Sequence, residues 1–201
     1  MDSNDESNTM KTILQVEDDP NDIFFLQHAI KKAGVANPIQ VASDGQEAID
    51  YLQGAGKFAD REQFPLPSLV LLDLKLPYVM GLDVLKWVRE RFGAGLAVVI
   101  LTASAQDEDI AAAYRLGANA FLTKPSEPNK LQDMVRAIKD FWLTHNTLPQ
   151  EYYREQVAAP AQSRTLDPCA KSLAGINGTP REQWRPMMSK PTYEKKRRIS
   201  F

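Results

Sequence analysis

Five polar side chains stand at or just after the ends of short apolar runs, where they could meet to bind a metal ion and a phosphoryl group. They are Glu17, Asp18, Asp73, Thr102 and Lys124. Three carboxylates in one crevice repel one another unless a cation offsets their charge, and oxygen ligands without His or Cys suit a hard ion such as Mg²⁺. A carboxylate beside such an ion can attack phosphorus, while an ammonium and a hydroxyl stabilise the phosphoryl oxygens. These residue types therefore indicate a phosphoacceptor site centred on Asp73.

The order of the surrounding elements predicts how those side chains meet. Strand-like apolar runs alternate with stretches of helical period along the chain. The runs cover residues 12–16, 38–42, 68–73, 96–101 and 119–122, and the amphipathic stretches cover 20–33, about 44–52, 81–91, 107–116 and 128–145. Strict alternation predicts an α/β fold of the (βα)5 type, a doubly wound five-stranded parallel sheet with helices on both faces. In such a sheet the crevice lies at the carboxyl ends of the strands, where the polar side chains stand.

Three regions are predicted along the chain. Residues 1–10 are polar and expected to be disordered, residues 11–148 form the α/β domain, and residues 149–201 form a flexible basic tail. Residues 150–201 hold five of the 13 prolines and show no sustained period. Within the domain, residues 54–67 contain two glycines and two prolines and predict a long loop.

Charge and cysteine content exclude several classes of protein. Residues 1–149 carry 14 Lys and Arg against 21 Asp and Glu, whereas residues 150–201 carry 10 against 5. An acidic body argues against a nucleic-acid-binding domain, which needs a positive surface. The single cysteine, Cys169, permits no internal disulfide. The polar start does not resemble a signal peptide, and no apolar run is long enough to span a bilayer, so we expect a cytoplasmic protein without membrane contact.

Four strings together resemble the receiver domains of two-component response regulators, over roughly residues 11–148. They are Ile13-Leu-Gln-Val-Glu-Asp18, Leu71-Leu-Asp-Leu-Lys-Leu-Pro77, Ile100-Leu-Thr-Ala103 and Phe121-Leu-Thr-Lys-Pro125. The resemblance implies a flavodoxin-like receiver fold and a phosphorelay function. The protein would then be a signalling switch and not a metabolic enzyme. Its only chemistry would be self-catalysed phosphotransfer and autodephosphorylation.

The resemblance also implies a role for each matching position. Asp73 would carry the phosphoryl group as 4-aspartylphosphate, and Lys124 would bind it. Thr102 would be the switch hydroxyl and Phe121 the switch aromatic residue. Mg²⁺ would be held by the site residues Glu17, Asp18 and Asp73 and by the backbone carbonyl of Lys75, with Glu17 acting through water.

A narrower resemblance points to the partner. The run from Asp19 to Leu26, the loop at residues 54–67 and the segment from Phe141 to Pro149 are similar to single-domain regulators that partner bacterial phytochromes. This implies a sensor histidine kinase of the phytochrome type, or a phosphotransfer protein, as the phosphoryl donor. Because no DNA-binding domain is recognisable, the output is expected to be a protein-binding surface or a homodimer. That surface would comprise the fourth helix, fifth strand and fifth helix.

Other interpretations remain open at this point. Asp18 or Asp19 could serve only as an N-cap before Pro20, Thr102 could cap the helix that follows it, and Phe121 could be a plain core residue. Asp73 could also belong to a small Mg-dependent phosphohydrolase, although those enzymes usually carry a second Asp where Lys75 stands. A degenerate receiver that acts only as an interaction module is a further alternative, which the complete set of site residues disfavours.

Overall fold

The computed structural model describes residues 11–147, in which five strands alternate with five helices. The predictions for residues 1–10 and 149–201 lie outside the described residues. The strands are β1 (Ile13–Val16), β2 (Ile39–Ala42), β3 (Leu69–Leu72), β4 (Ala97–Thr102) and β5 (Ala120–Thr123). The helices are α1 (Pro20–Lys32), α2 (Gly45–Gln53), α3 (Gly81–Phe92), α4 (Asp107–Arg115) and α5 (Pro128–Ile138). Across residues 11–147, no helix combines the length and the apolar character that a bilayer crossing requires.

The strands form one parallel sheet in the order β2-β1-β3-β4-β5, which confirms the predicted doubly wound fold. The chain moves outward in one direction from β1 to β2 and in the other from β3 to β5. The strand order therefore reverses between β1 and β3, and these two strands pair in register from Ile13 with Leu69 to Val16 with Leu72. A crevice opens at such a reversal, beyond the carboxyl ends of the two strands.

The sheet is covered on both faces, which explains why its central strands are apolar at nearly every position. Leu14 and Val16 of β1 point into a cluster shared with α2, α3 and α4. Ile13 points the opposite way, into a cluster shared with α1 and α5. Alternating side chains therefore anchor each strand in two cores, so the strand ends have little freedom to move.

The segment at residues 54–67, predicted as a loop, is packed against the domain. It contains a short 3-10 helix, Gly56–Phe58, and Phe58 is buried. The rings of Phe58, Phe64 and Tyr51 stack edge to face, with centroids 5.1–6.2 Å apart. The Arg61 guanidinium donates hydrogen bonds to the carbonyls of Tyr51, Leu52 and Phe64 at 2.7–3.1 Å. Arg61 thereby supplies donors to two carbonyls in the last turn of α2, where backbone partners run out.

The last helix differs from the prediction of one continuous helix over residues 128–145. The α-helical part ends at Ile138, and Lys139–His145 forms a π-helix. The wider turn rotates the side chains that follow it, and Trp142 and Leu143 pack against the α1 and α5 cluster. Lys139 Nζ donates to the carbonyl of Ala33 at 3.0 Å, which ties the π-helix to the end of α1.

Gln15 is a polar residue in the middle of an apolar strand, and this leads to a prediction about stability. Its side chain is 1% exposed, and neither of its amide atoms has a hydrogen-bond partner among the described residues. A buried polar group without a partner costs about 1–3 kcal/mol. We therefore expect Gln15→Leu to raise the free energy of unfolding by about 1–2 kcal/mol, measured by urea denaturation.

Gln40→Leu is the matched control, because Gln40 lies on the neighbouring strand β2 but is only partly buried. It is expected to change the free energy of unfolding by less than about 0.5 kcal/mol. A Gln15→Leu variant that is less stable than wild type would contradict this account of the strand.

Candidate functional site

Glu17 and Asp73 are the first residues after β1 and β3, and backbone hydrogen bonds continue the sheet through both. The amide of Asp73 donates to the carbonyl of Val16 at 3.1 Å, and the amide of Glu17 donates to the carbonyl of Ala42 at 3.0 Å. Both residues are buried, at 3% exposure for Glu17 and 7% for Asp73. Two carboxylates are therefore held rigidly side by side at the point where the strand order reverses.

Lys124 reaches this point from β5, two strands away from β3. Its backbone amide donates to the carbonyl of Thr102 at 2.8 Å, which fixes the start of the side chain beside the end of β4. Its ammonium contacts Asp73 Oδ2 at 2.7 Å and Asp22 Oδ2 at 2.9 Å, and it also pairs with Glu17 Oε2. The Lys124 side chain is 12% exposed, so its contacts with Glu17 and Asp73 are largely shielded from water, whereas the Asp22 side chain is 41% exposed. One ammonium thus holds three carboxylates together.

Burial and mutual contact shift the pKa values of Glu17 and Lys124. Burial raises the pKa of the Glu17 carboxyl above its ordinary value, and the neighbouring Lys124 ammonium only partly offsets that effect. Burial alone would lower the pKa of Lys124, but its hydrogen bonds to Asp73, Glu17 and Asp22 raise the pKa well above its ordinary value. Lys124 is therefore charged at any physiological pH.

The second oxygen of Asp73 is held by the backbone. Asp73 Oδ1 accepts a hydrogen bond from the amide of Lys75 at 3.1 Å, while the Lys75 residue itself is exposed. The amide of Gly81, the first residue of α3, donates to the carbonyl of Leu74 at 3.0 Å. This bond folds the loop after β3 back on itself and places the start of α3 against the backbone of Asp73. The Asp73 carboxylate is thus held by the Lys75 amide, on a loop that the start of α3 holds in place.

Thr102 and Phe121 lie on neighbouring strands at the same edge of the molecule. Thr102 is the last residue of β4 and is fully buried, and its hydroxyl accepts a long hydrogen bond of 3.4 Å from the amide of Ser104. The N-cap residue of α4 is Gln106, so Thr102 does not cap that helix. Phe121 on β5 pairs in register with Ile100 and is partly buried against the cluster on the α2, α3 and α4 face.

The acidic residues after β1 separate into different positions. Asp19 is the N-cap of α1, and its side chain accepts from the amide of Asn21 at 2.8 Å. Asp18 is exposed and stands apart from the one group of converging carboxylates within residues 11–147. That group comprises Glu17, Asp22 and Asp73, with one oxygen of each lying within 4.8 Å of the others. Sequence reasoning missed Asp22, although its place in the first turn of α1, five residues after Glu17, put it at the same edge.

Comparison with known proteins assigns this geometry to a family. Residues 13–136 match the response regulator receiver domain. The chain is 38% identical over 146 residues to the response regulator Rcp1 of Synechocystis sp., an alignment that covers 72% of this chain and 97% of Rcp1.

Two crystal structures show the same fold with similar sequence. The phosphorylated cyanobacterial phytochrome response regulator RcpA is 35% identical, with a TM-score of 0.64 over 69% of this chain and 98% of RcpA. The Mn(2+)-bound form of response regulator Rcp1 is 36% identical, with a TM-score of 0.62 over 69% of this chain and 99% of that one. Both the fold and the match along the sequence therefore agree that the chain belongs to the response regulator receiver-domain family.

Proposed function

We propose that this phosphorelay response regulator accepts a phosphoryl group from a histidine kinase on Asp73, which becomes 4-aspartylphosphate. The observation that carries the proposal is the way in which Asp73 is held. Its Oδ1 accepts from the Lys75 amide at 3.1 Å, its Oδ2 accepts from the Lys124 ammonium at 2.7 Å, and its side chain is 9% exposed. A carboxylate that is fixed and still open to the crevice can attack an incoming phosphorus atom with little loss of freedom.

The transfer is a substitution at phosphorus. An oxygen of Asp73 forms the new O–P bond while the N–P bond of the kinase phosphohistidine breaks, and the departing imidazole keeps the electron pair of that bond. Lys124 and Thr102 bind the phosphoryl oxygens, whose charge increases during the transfer. Water later attacks the phosphorus, the O–P bond to Asp73 breaks, and inorganic phosphate leaves, so the Asp73 carboxylate is restored.

The acidic residues fit a divalent cation, which we propose is Mg²⁺. Glu17, Asp22 and Asp73 converge with oxygen atoms only, and hard oxygen ligands suit this ion. In our proposal Asp18 and Asp73 hold it with the backbone carbonyl of Lys75, and Glu17 acts through water. When bound, the ion offsets negative charge on the phosphoryl oxygens. The related Rcp1 has been crystallised in a Mn(2+)-bound form.

The output is proposed to pass through Thr102 and Phe121. When Lys124 and Thr102 bind the phosphoryl group, the Thr102 hydroxyl moves toward Asp73 and leaves its contact with the Ser104 amide. Phe121, which is only partly buried, can then turn into the vacated space. The surface formed by α4, β5 and α5 repacks between two states and binds a partner protein or a second copy of the chain. The domain that carries the switch is proposed to cover residues 11–148.

The donor is proposed to be a phytochrome-type histidine kinase or a phosphotransfer protein that it serves. The names of the similar regulators support this, because RcpA is described as a phytochrome response regulator. A groove of about 290 Å³ also lies between α1 and the start of α5, and both Asp22 and Lys124 line it. Phe25 lines this groove and is 53% exposed, and its ring packs edge to face on that of Phe24, which is 62% exposed. The two rings form an apolar patch beside the groove that another protein can cover.

Phe25→Ala tests the donor site. Because Phe25 is exposed, the substitution should leave the fold and the reaction with acetyl phosphate unchanged within about twofold. Transfer from an autophosphorylated phytochrome-type kinase should slow roughly tenfold, since the kinase loses an aromatic anchor. The measurement is the initial rate of radiolabel transfer to the full chain from each of the two donors.

Tyr114→Ala is the control, because Tyr114 lies on α4, away from the groove lining, and is similarly exposed at 52%. It should transfer label from the kinase as fast as wild type. Equal slowing by Phe25→Ala and Tyr114→Ala would contradict docking at the α1 groove. Wild-type protein that takes label from neither donor would contradict the proposed function itself.

A further inference from the structure

Asp22 contacts the proposed phosphate-binding lysine and belongs to the acidic group that fits a cation, but it is neither a proposed metal ligand nor a group that binds the phosphoryl oxygens. It is the third residue of α1, and its Oδ2 accepts a hydrogen bond from Lys124 Nζ at 2.9 Å. Its side chain is 41% exposed, whereas those of Glu17 and Asp73 are 4% and 9% exposed. Of the three carboxylates around the ammonium, Asp22 is therefore the one on the solvent side.

The number of hydrogen atoms on the Lys124 ammonium limits how many acceptors it can bind at once. A lysine ammonium has three N–H donors, and its three carboxylate contacts account for all of them. A phosphoryl oxygen that arrives at Lys124 must therefore replace one of the existing acceptors or share its hydrogen. The choice depends on where each acceptor lies.

Position singles out Asp22 as the acceptor that is displaced. Glu17 lies deepest and is fixed by the sheet, and Asp73 becomes bonded to the phosphoryl group and stays beside it. The phosphoryl donor has to approach from the open side of the crevice, where Asp22 stands. Asp22 and Lys124 both line the groove next to α1, which confirms that this contact faces outward.

The negative charge of Asp22 also favours its displacement by a phosphoryl group. The phosphoryl group is anionic, and the Asp22 carboxylate stands at the mouth through which it enters. Two like charges at the same opening repel each other, although water partly screens this repulsion because the Asp22 side chain is 41% exposed. Asp22 thus opposes the phosphoryl group both as a rival acceptor for Lys124 and as a negative charge.

On the basis of the proposed phosphoacceptor role of Asp73, we infer that Asp22 is a positioning residue that holds Lys124 until a phosphoryl group displaces it. Asp22 holds the Lys124 ammonium at the mouth of the site while Asp73 is unphosphorylated, and this contact breaks when Asp73 is phosphorylated. It thereby lowers the affinity of the site for the phosphoryl group, which keeps the unmodified state the more stable one. A residue with a purely structural role would have the opposite effect, because its loss would weaken binding.

The test is a titration with beryllofluoride, a small anion that takes the place of a phosphoryl group on a carboxylate. The full chain is titrated calorimetrically at an Mg²⁺ concentration that saturates each variant, so that changes in metal affinity do not contribute. We expect Asp22→Asn to bind beryllofluoride roughly three- to tenfold more tightly than wild type, since part of one charge-assisted hydrogen bond no longer has to be exchanged. Asp22→Glu should return the affinity to about the wild-type value, because the carboxylate is restored.

Asp83→Asn is the matched control. Asp83 is the third residue of α3, as Asp22 is of α1, and it is exposed. It should bind beryllofluoride as wild type does. Unchanged or weaker binding by Asp22→Asn, or an equal gain in Asp83→Asn, would overturn the inference.

Asp73→Asn in the same titration separates this inference from the proposed function. It should bind no beryllofluoride, whatever residue stands at position 22. Wild-type protein that binds none, or Asp73→Asn protein that binds as well as wild type, would contradict the phosphoacceptor role and remove the basis for the inference about Asp22.

Discussion

Gly81→Ala is expected to destabilise the domain by about 3 kcal/mol and to impair labelling at Asp73 in the fraction that folds. A Cβ atom at this position would lie 2.1 Å from the carbonyl oxygen of Asp73 and 2.7 Å from the Cα of Leu74. Both of these atoms belong to the backbone, so no side chain can rotate to make room. The start of α3 or the end of β3 has to move, and Asp73 moves with it.

The substitution is expected to affect both stability and labelling, because Gly81 lies directly against the backbone of Asp73. Its amide also bonds the carbonyl of Leu74, and a shift of α3 would lengthen that bond. A typical domain is stable by only 5–15 kcal/mol, so a loss of this size is large. Urea denaturation measures the free energy of unfolding, and acetyl phosphate labelling at low temperature measures the remaining site activity.

Met80→Ala is the control for this substitution. Met80 precedes Gly81 in the same turn, is 50% exposed, and makes no side-chain capping hydrogen bond to α3. It should change the free energy of unfolding by less than about 1 kcal/mol and leave labelling intact. A Gly81→Ala protein as stable and as well labelled as Met80→Ala would show that α3 does not have to approach Asp73 this closely.

The fold could be predicted from the sequence because its signals are local. Strands such as Leu69–Leu72 are short, wholly apolar and bounded by polar residues, and helices such as Pro20–Lys32 begin at an N-cap and a proline. Strict alternation then leaves few arrangements other than a parallel doubly wound sheet. The same argument places Glu17, Asp73, Thr102 and Lys124 at one edge, because all of them follow or end strands.

The parts that could not be predicted depend on contacts between distant residues. The wider turn after Ile138 goes together with the packing of Trp142 and Leu143 against α1 and α5, and no local pattern indicates that change. The packed segment after α2 depends on Arg61, whose guanidinium binds carbonyls nine or ten residues earlier in the chain. A charged residue in a stretch rich in glycine and proline gives no sign of that role.

The directions of single side chains in the site could not be predicted from the sequence either. From the sequence alone, each of the adjacent acidic residues after β1 could equally well point into the crevice. The turn into α1 decides between them, since it uses Asp19 as the N-cap and brings Asp22 to the Lys124 ammonium. The direction of a side chain in a tight turn depends on backbone angles that residue type does not determine. The metal-binding role of Asp18 stays a prediction.

Asp73→Asn is expected to have the largest effect of any single substitution, namely complete loss of phosphorylation. An asparagine amide has nearly the shape of the carboxylate and can still accept the hydrogen bond of the Lys75 amide. It carries no charge and is a very poor nucleophile toward phosphorus, so no acyl phosphate forms. The substitution also removes one of three neighbouring carboxylates, which lowers their mutual repulsion, so the protein should remain folded.

The most direct measurement is therefore the uptake of radiolabel from acetyl phosphate in the presence of Mg²⁺ by the wild-type chain, Asp73→Asn and Asp83→Asn. Wild type and Asp83→Asn should take up label that hydroxylamine releases, as it does from an acyl phosphate, whereas Asp73→Asn should stay at background. Circular dichroism on the same samples confirms that each variant is folded. Folded Asp73→Asn protein that takes up label to the wild-type extent would contradict the account that Asp73 is the phosphoacceptor.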